Sequence, residues 1–145
     1  MPATTPMLSL SQIGQVLIPV TDLPRATAFY RDTLGMRFLF EVPQRMAFFD
    51  CGGVRLMLGV AEPNAEPVGA GLLYYRVADI QAAARALAER GVETITPPAM
   101  IARMSDHDLW LGEYRDSEGH PFALMSEVRP APASRPEEPP TSPVR

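Results

Sequence analysis

Glu113 is the side chain best suited to chemistry. It lies three residues ahead of Asp116 in the run HDLWLGEYRD, where strict alternation puts it on one face with Leu109 and Leu111, opposite Trp110 and Tyr114. A carboxylate lining a cavity has its pKa raised and becomes a general base. An exposed or arginine-paired glutamate fits the same sequence. His107 stands at the mouth of that run between Asp106 and Asp108. An imidazole beside a carboxylate serves as a base or a weak metal ligand, and equally as a solvated loop residue. Glu113 and His107 are the candidate catalytic groups. Tyr74 and Arg76 alternate along LLYYRV and share a face with Leu72, which suits an anionic or aromatic ligand; an Arg76 that pairs with a surface acid fits equally. Arg103 and Met104, ahead of His107, read as a loop able to close over a ligand. Cys51 has no basic neighbour to lower its pKa and reads as an inert thiol.

The rest of the composition narrows the chemistry. All 13 basic residues are arginine, which excludes a Schiff-base lysine and a phosphate-binding loop of the lysine type. One cysteine excludes an intrachain disulfide and a thiolate-rich zinc site, and two histidines exclude a three-histidine centre in one chain. A net charge of −4 argues against nucleic acid as a partner. No apolar run approaches the roughly 20 residues of a membrane span. The first residues carry no basic leader region, so a cytoplasmic, reducing setting is expected. With 46% hydrophobic residues, the 145-residue chain can bury one core.

Two segments position these residues, and they carry the same signals in the same order. The first runs from the strand IGQVLIPV through the helix TDLPRATAFYRDTLG to the strands MRFLFEV, RMAFFDC and VRLMLGV. The second runs from LLYYRV through ADIQAAARALAERG to VETITPP, HDLWLGEYRD and PFALMSEV. Asp22 and Asp79 mark the helix starts, and Gly35 and Gly91 the stops. DSEG, Asp116 to Gly119, closes the last pair as a hairpin, with His120 supporting it. The recurrence of Val20-x-Asp22-Leu23 as Val77-x-Asp79-Ile80 marks a duplication. The expected fold is α+β: two tandem β-α-β-β-β modules, 12–60 and 72–128, forming curved sheets around a cup-shaped cavity within a single domain, 12–128. Residues 1–11 and the proline-rich 129–145 are expected to be flexible.

The stretches IGQVLIPVTDLPRATAFYRDTLGM and YRDSEGHPFALMSEV resemble the vicinal oxygen chelate superfamily, which includes glyoxalases, extradiol dioxygenases and bleomycin-resistance proteins. The resemblance covers both modules, about residues 12–128. It implies a divalent metal in the cup, with one ligand on the first strand and one on the last strand of each module. Carried onto this chain, those places fall on Gln15, Met57, Leu72 and Ala123. Only Gln15 offers a hard oxygen donor, and a thioether suits soft metals. Neither a metal nor another cofactor is therefore expected.

The leading reading is metal-independent binding of a small organic molecule in a cup lined by Gln15, Tyr74, Arg76, Leu109, Leu111, Glu113 and Trp110, in the manner of bleomycin-resistance proteins. The alternative is a lyase, isomerase or dioxygenase-type enzyme that uses a non-standard metal site of Gln15, His107 and Glu113, or a metal-free acid–base pair. Relatives of this size commonly pair, so a homodimer is expected, with no nucleic-acid or membrane partner.

Overall fold

The computed structural model describes residues 8, 10–69 and 71–129. The expected terminal segments, 1–11 and 129–145, fall almost wholly outside them. The chain divides between Gly69 and Ala70 into two compact units.

In the first unit, β1 (Gln15–Val20) leads into α1 (Leu23–Ala28), followed by β2 (Arg37–Val42), β3 (Met46–Cys51) and β4 (Val54–Val60). The Asp22 carboxylate caps α1 by accepting from the Arg25 backbone N–H at 3.1 Å, and Pro24 sits in the first turn. The expected helix to Gly35 changes pitch on the way. Phe29–Thr33 is a π-helical turn closed by Leu34 N–H donating to the Phe29 carbonyl, and Gly35, at φ +72°, ends it in the left-handed region. The sheet order is β1-β4-β3-β2, with β1 parallel to β4 and the rest antiparallel. Ile18, Val20, Ala47, Phe49, Leu56 and Leu58 are buried on the helix side with Leu23, Ala26 and Tyr30.

The second unit repeats the plan with β5 (Tyr74–Arg76), α2 (Ile80–Glu89), β6 (Thr94–Arg103), β7 (Asp108–Arg115) and β8 (Pro121–Val128), in sheet order β5-β8-β7-β6. Asp79 caps α2 through the Ala82 N–H at 3.0 Å. The Asp116 carboxylate accepts from the Glu118 and His120 N–H groups at 2.9 Å each, and Gly119 sits at φ +86°, so the DSEG turn is built as its residue types predict.

One strand departs from the sequence reading. VETITPP predicts a short strand, yet β6 runs through Pro97 and Pro98 to Arg103. It is an edge strand, where proline's missing donor breaks no inner ladder, and the pairing with β7 skips from Thr96 to Ala99. Arg103 therefore ends a strand instead of a mobile loop. Met104 N–H donates to the His107 carbonyl at 2.7 Å, closing a tight β6–β7 hairpin in place of the expected lid. Among the described residues, no helix is long and apolar enough to cross a membrane.

Candidate functional site

Period-two alternation gives each sheet one face under its helix and one open face. In the second unit the open face carries Tyr74 and Arg76 from β5, Ala123, Met125 and Glu127 from β8, and Leu109, Leu111 and Glu113 from β7. The register fixes this: Tyr74 lies opposite Ala123, and Glu113, Leu111 and Leu109 lie opposite Ala123, Met125 and Glu127. Five of the residues named from sequence thus share a surface. Arg76 forms an ion pair with Glu127 at 3.5 Å, so its charge is answered on that surface by the neighbouring strand.

Trp110 is on the other side. It lies opposite Ser126 and lines, with Ala78, Asp79, Ile80, Gln81 and Val128, a separate pocket of about 370 Å³ at the start of α2. Strict alternation sends it there, away from Leu109 and Leu111.

His107 and Glu113 are not brought together. His107 precedes β7 and Glu113 lies six residues further on, which at about 3.3 Å per residue separates them by roughly 20 Å of extended strand. Two groups that far apart cannot handle one proton on one reacting atom. His107 instead belongs to a surface network at the hairpin. Its Nδ1 lies 2.7 Å from the Asp106 carboxylate, whose other oxygen accepts from Arg129 at 2.8 Å. Hydrogen bonds from Arg129 and His107 hold the Asp106 carboxyl down to about 2. Arg103 pairs with Asp108 at 3.5 Å. Burial, with Asp50 adding to it, pushes the Cys51 thiol up, in keeping with an inert group.

In the first unit, Gln15, Leu17, Arg55, Met57, Gly59, Phe48, Asp50 and Phe40 share the open face. Gln15 Nε2 lies 3.9 Å from the Met57 sulfur. Phe40 and Phe48 are stacked, with centroids 4.5 Å apart, and the Arg55 guanidinium lies 5.6 Å from the centre of the Phe48 ring. Sequence reasoning missed this aromatic row. In RFLFEV, strict alternation puts Phe38 and Phe40 on one face. A register shift at Leu39 separates them: Phe38 packs edge-on to Phe49 under the helix, and Phe40 stacks on Phe48 outside.

The places that the resemblance assigns to metal ligands occupy matching rungs. Leu17 lies opposite Met57 in the β1–β4 ladder and Tyr74 opposite Ala123 in the β5–β8 ladder, so Met57 and Ala123 correspond. Gln15 and Leu72 each stand two residues before those rungs. Leu56 and Leu58 are buried under α1, which leaves Met57 on the open face. A divalent metal does not fit this set. Leucine and alanine donate nothing, a thioether is soft, and one amide oxygen cannot hold a hard cation. Among the described residues, no three His, Cys, Asp or Glu side chains gather where a metal could be held.

The sequence matches the family model of the Glyoxalase/Bleomycin resistance protein/Dioxygenase superfamily over residues 12–124. No protein among curated sequences matches it. Several solved structures share its fold. A superfamily member from Sphaerobacter thermophilus is 27% identical, with a TM-score of 0.66, covering 83% of this chain and 100% of that one. A lactoylglutathione lyase from Agrobacterium tumefaciens is 21% identical, with a TM-score of 0.66, covering 80% and 93%. TioX from Micromonospora is 22% identical, again at 0.66, covering 81% and 100%. The chain belongs to the Glyoxalase/Bleomycin resistance protein/Dioxygenase superfamily.

Proposed function

We propose that this member of the superfamily binds a small organic molecule on the open faces of its sheets, without a divalent metal. The observation that carries the reading is the donor chemistry at the four matched places: one amide, one thioether and two hydrocarbon side chains. A metal enzyme does not tolerate that set, whereas a binding protein does. The open face of the second unit supports it further. Leu109, Leu111 and Met125 supply apolar area for affinity, and Tyr74, the Arg76–Glu127 pair and Glu113 supply a few polar groups for orientation.

Glu113 acts here as an orienting acceptor, and Trp110 and His107 stand outside the site. Association into a homodimer is part of the same proposal. The outer strands β1, β2, β5 and β6 leave backbone edges that a second copy covers. Cytoplasmic residence belongs to it too, in keeping with a single free thiol.

Substitution tests the site directly. Tyr74→Ala, at an exposed position, weakens a bound ligand by about 1–3 kcal/mol in a calorimetric titration while leaving the fold intact. Unchanged affinity in both Tyr74→Ala and Arg76→Ala, with loss on substitutions elsewhere, contradicts the assignment.

A further inference from the structure

The aromatic row of the first unit plays no part in the fold's buried core beyond Phe48 and is not among the residues named for binding. Its geometry is specific. Phe48 is buried between two neighbours on the open face, with Phe40 stacked on it and Arg55 within cation–π distance of its ring. Phe40 is 47% exposed, so one side of the stack stays open to solvent.

Cations flank the row. Arg37, Asp50 and Arg55 form one cross-strand line, since Asp50 lies opposite both arginines. Two cations thus face one carboxylate across the ladder. That carboxylate accepts from the Gly53 N–H at 3.2 Å, and neither arginine has an acid within ion-pair distance among the described residues. An exposed ring beside an excess of positive charge complements a flat molecule carrying a negative charge: the ring continues the stack, and the charge takes the donors that Asp50 leaves free.

We infer that the open face of the first sheet selects planar aromatic anions, with Phe40 as the stacking surface and Arg37 and Arg55 as the charge-reading groups. This rests on the binding reading above and names the ligand class for it.

The test uses the full chain and two probes of nearly equal shape, 1-naphthoate and 1-naphthalenemethanol, titrated by ligand-observed NMR beside a panel of unrelated small organic molecules. Naphthoate binds about fivefold or more tightly than the alcohol. Phe40→Ala weakens both by about tenfold, and the double change Arg37→Gln with Arg55→Gln removes the preference while sparing the alcohol. All three positions are exposed, so the variants keep the fold, as circular dichroism verifies. Equal affinity for the two probes, or affinities untouched by these changes, overturns the inference. Naphthoate lost in Tyr74→Ala and kept in Phe40→Ala overturns it too, and leaves the binding reading standing. A change from dimer to monomer in Phe40→Ala with probe binding unchanged makes the face a contact between copies and overturns the inference. No binding by any member of the panel overturns the binding reading itself.

Discussion

The two units carry one ladder and two chemistries. Under the helices the rungs match in character: Leu56 and Phe122, Leu58 and Leu124, Phe49 and Tyr114, and Ala47 and Gly112 occupy corresponding places, and all but glycine are buried apolar side chains. On the open faces the same rungs diverge. Phe48 corresponds to Glu113, Leu17 to Tyr74, Pro19 to Arg76 and Met57 to Ala123. Burial explains the contrast. A helix-side position must fill a close-packed layer, so it varies only among apolar shapes, whereas most of the open-face positions, Phe48 and Ala123 excepted, keep some exposure and are freer to take up binding chemistry.

The largest effect tests whether the ladders are equivalent in energy. Leu58→Ala costs about 2–5 kcal/mol in denaturant unfolding, as a fully buried leucine leaves a cavity, and Leu124→Ala at the matching rung falls in the same range. A cost below about 1 kcal/mol at one of them breaks the equivalence.

A smaller effect probes the one helix-side rung where the units differ in volume. A Cβ built on Gly112 meets the Tyr114 hydroxyl at 2.8 Å and the ring at 3.3 Å, while the first unit accommodates Ala47 beside Phe49. The second unit has glycine–tyrosine where the first has alanine–phenylalanine. The hydroxyl gained is buried with no hydrogen-bond partner among the described residues, and burial pushes its pKa up. Gly112→Ala therefore costs about 1–3 kcal/mol. Tyr114→Phe alone is neutral or stabilising, and the double variant, which restores the first unit's pair, recovers part of the loss. Additive single effects in this cycle remove the explanation.

Much of this was legible in sequence because period two is a hard geometric rule. The element order, the duplication, the faces of Glu113, Leu109 and Leu111, and the outward turn of Met57 all follow from alternation and from the helix caps at Asp22 and Asp79. The losses occur where alternation is interrupted. The shift at Leu39 hid the Phe40–Phe48 row, and the skips along β6 let a strand run through two prolines. Pairings that depend on neighbouring strands, such as Arg76 with Glu127, need the register and not the string. For Trp110, alternation gives the face that the register shows, while the appeal of an aromatic ligand contact points to the opposite one.

The smallest effect lies at the β6–β7 hairpin, where the Asp106–Arg129 pair matches, with the charges reversed, the Arg45–Glu62 pair at the β2–β3 turn of the first unit. Asp106 is held at about 2, below the ordinary carboxylate range, by Arg129 and His107. A depressed folded-state pKa gives stability that is present above the ordinary value and is lost as pH falls towards 2. Because the pair is exposed, the effect on stability is slight. Arg129→Ala moves the Asp106 carboxyl resonance to titrate at higher pH by NMR; an unmoved titration assigns the shift elsewhere.

The central claim, that the superfamily's scaffold here binds without its metal, is tested most directly by elemental analysis of protein purified without chelator, joined to a ligand titration with and without EDTA. The account predicts well under one Ni, Zn, Mn or Fe per chain and an affinity that EDTA leaves unchanged. About one such ion per chain, lost in Gln15→Ala together with binding, contradicts it.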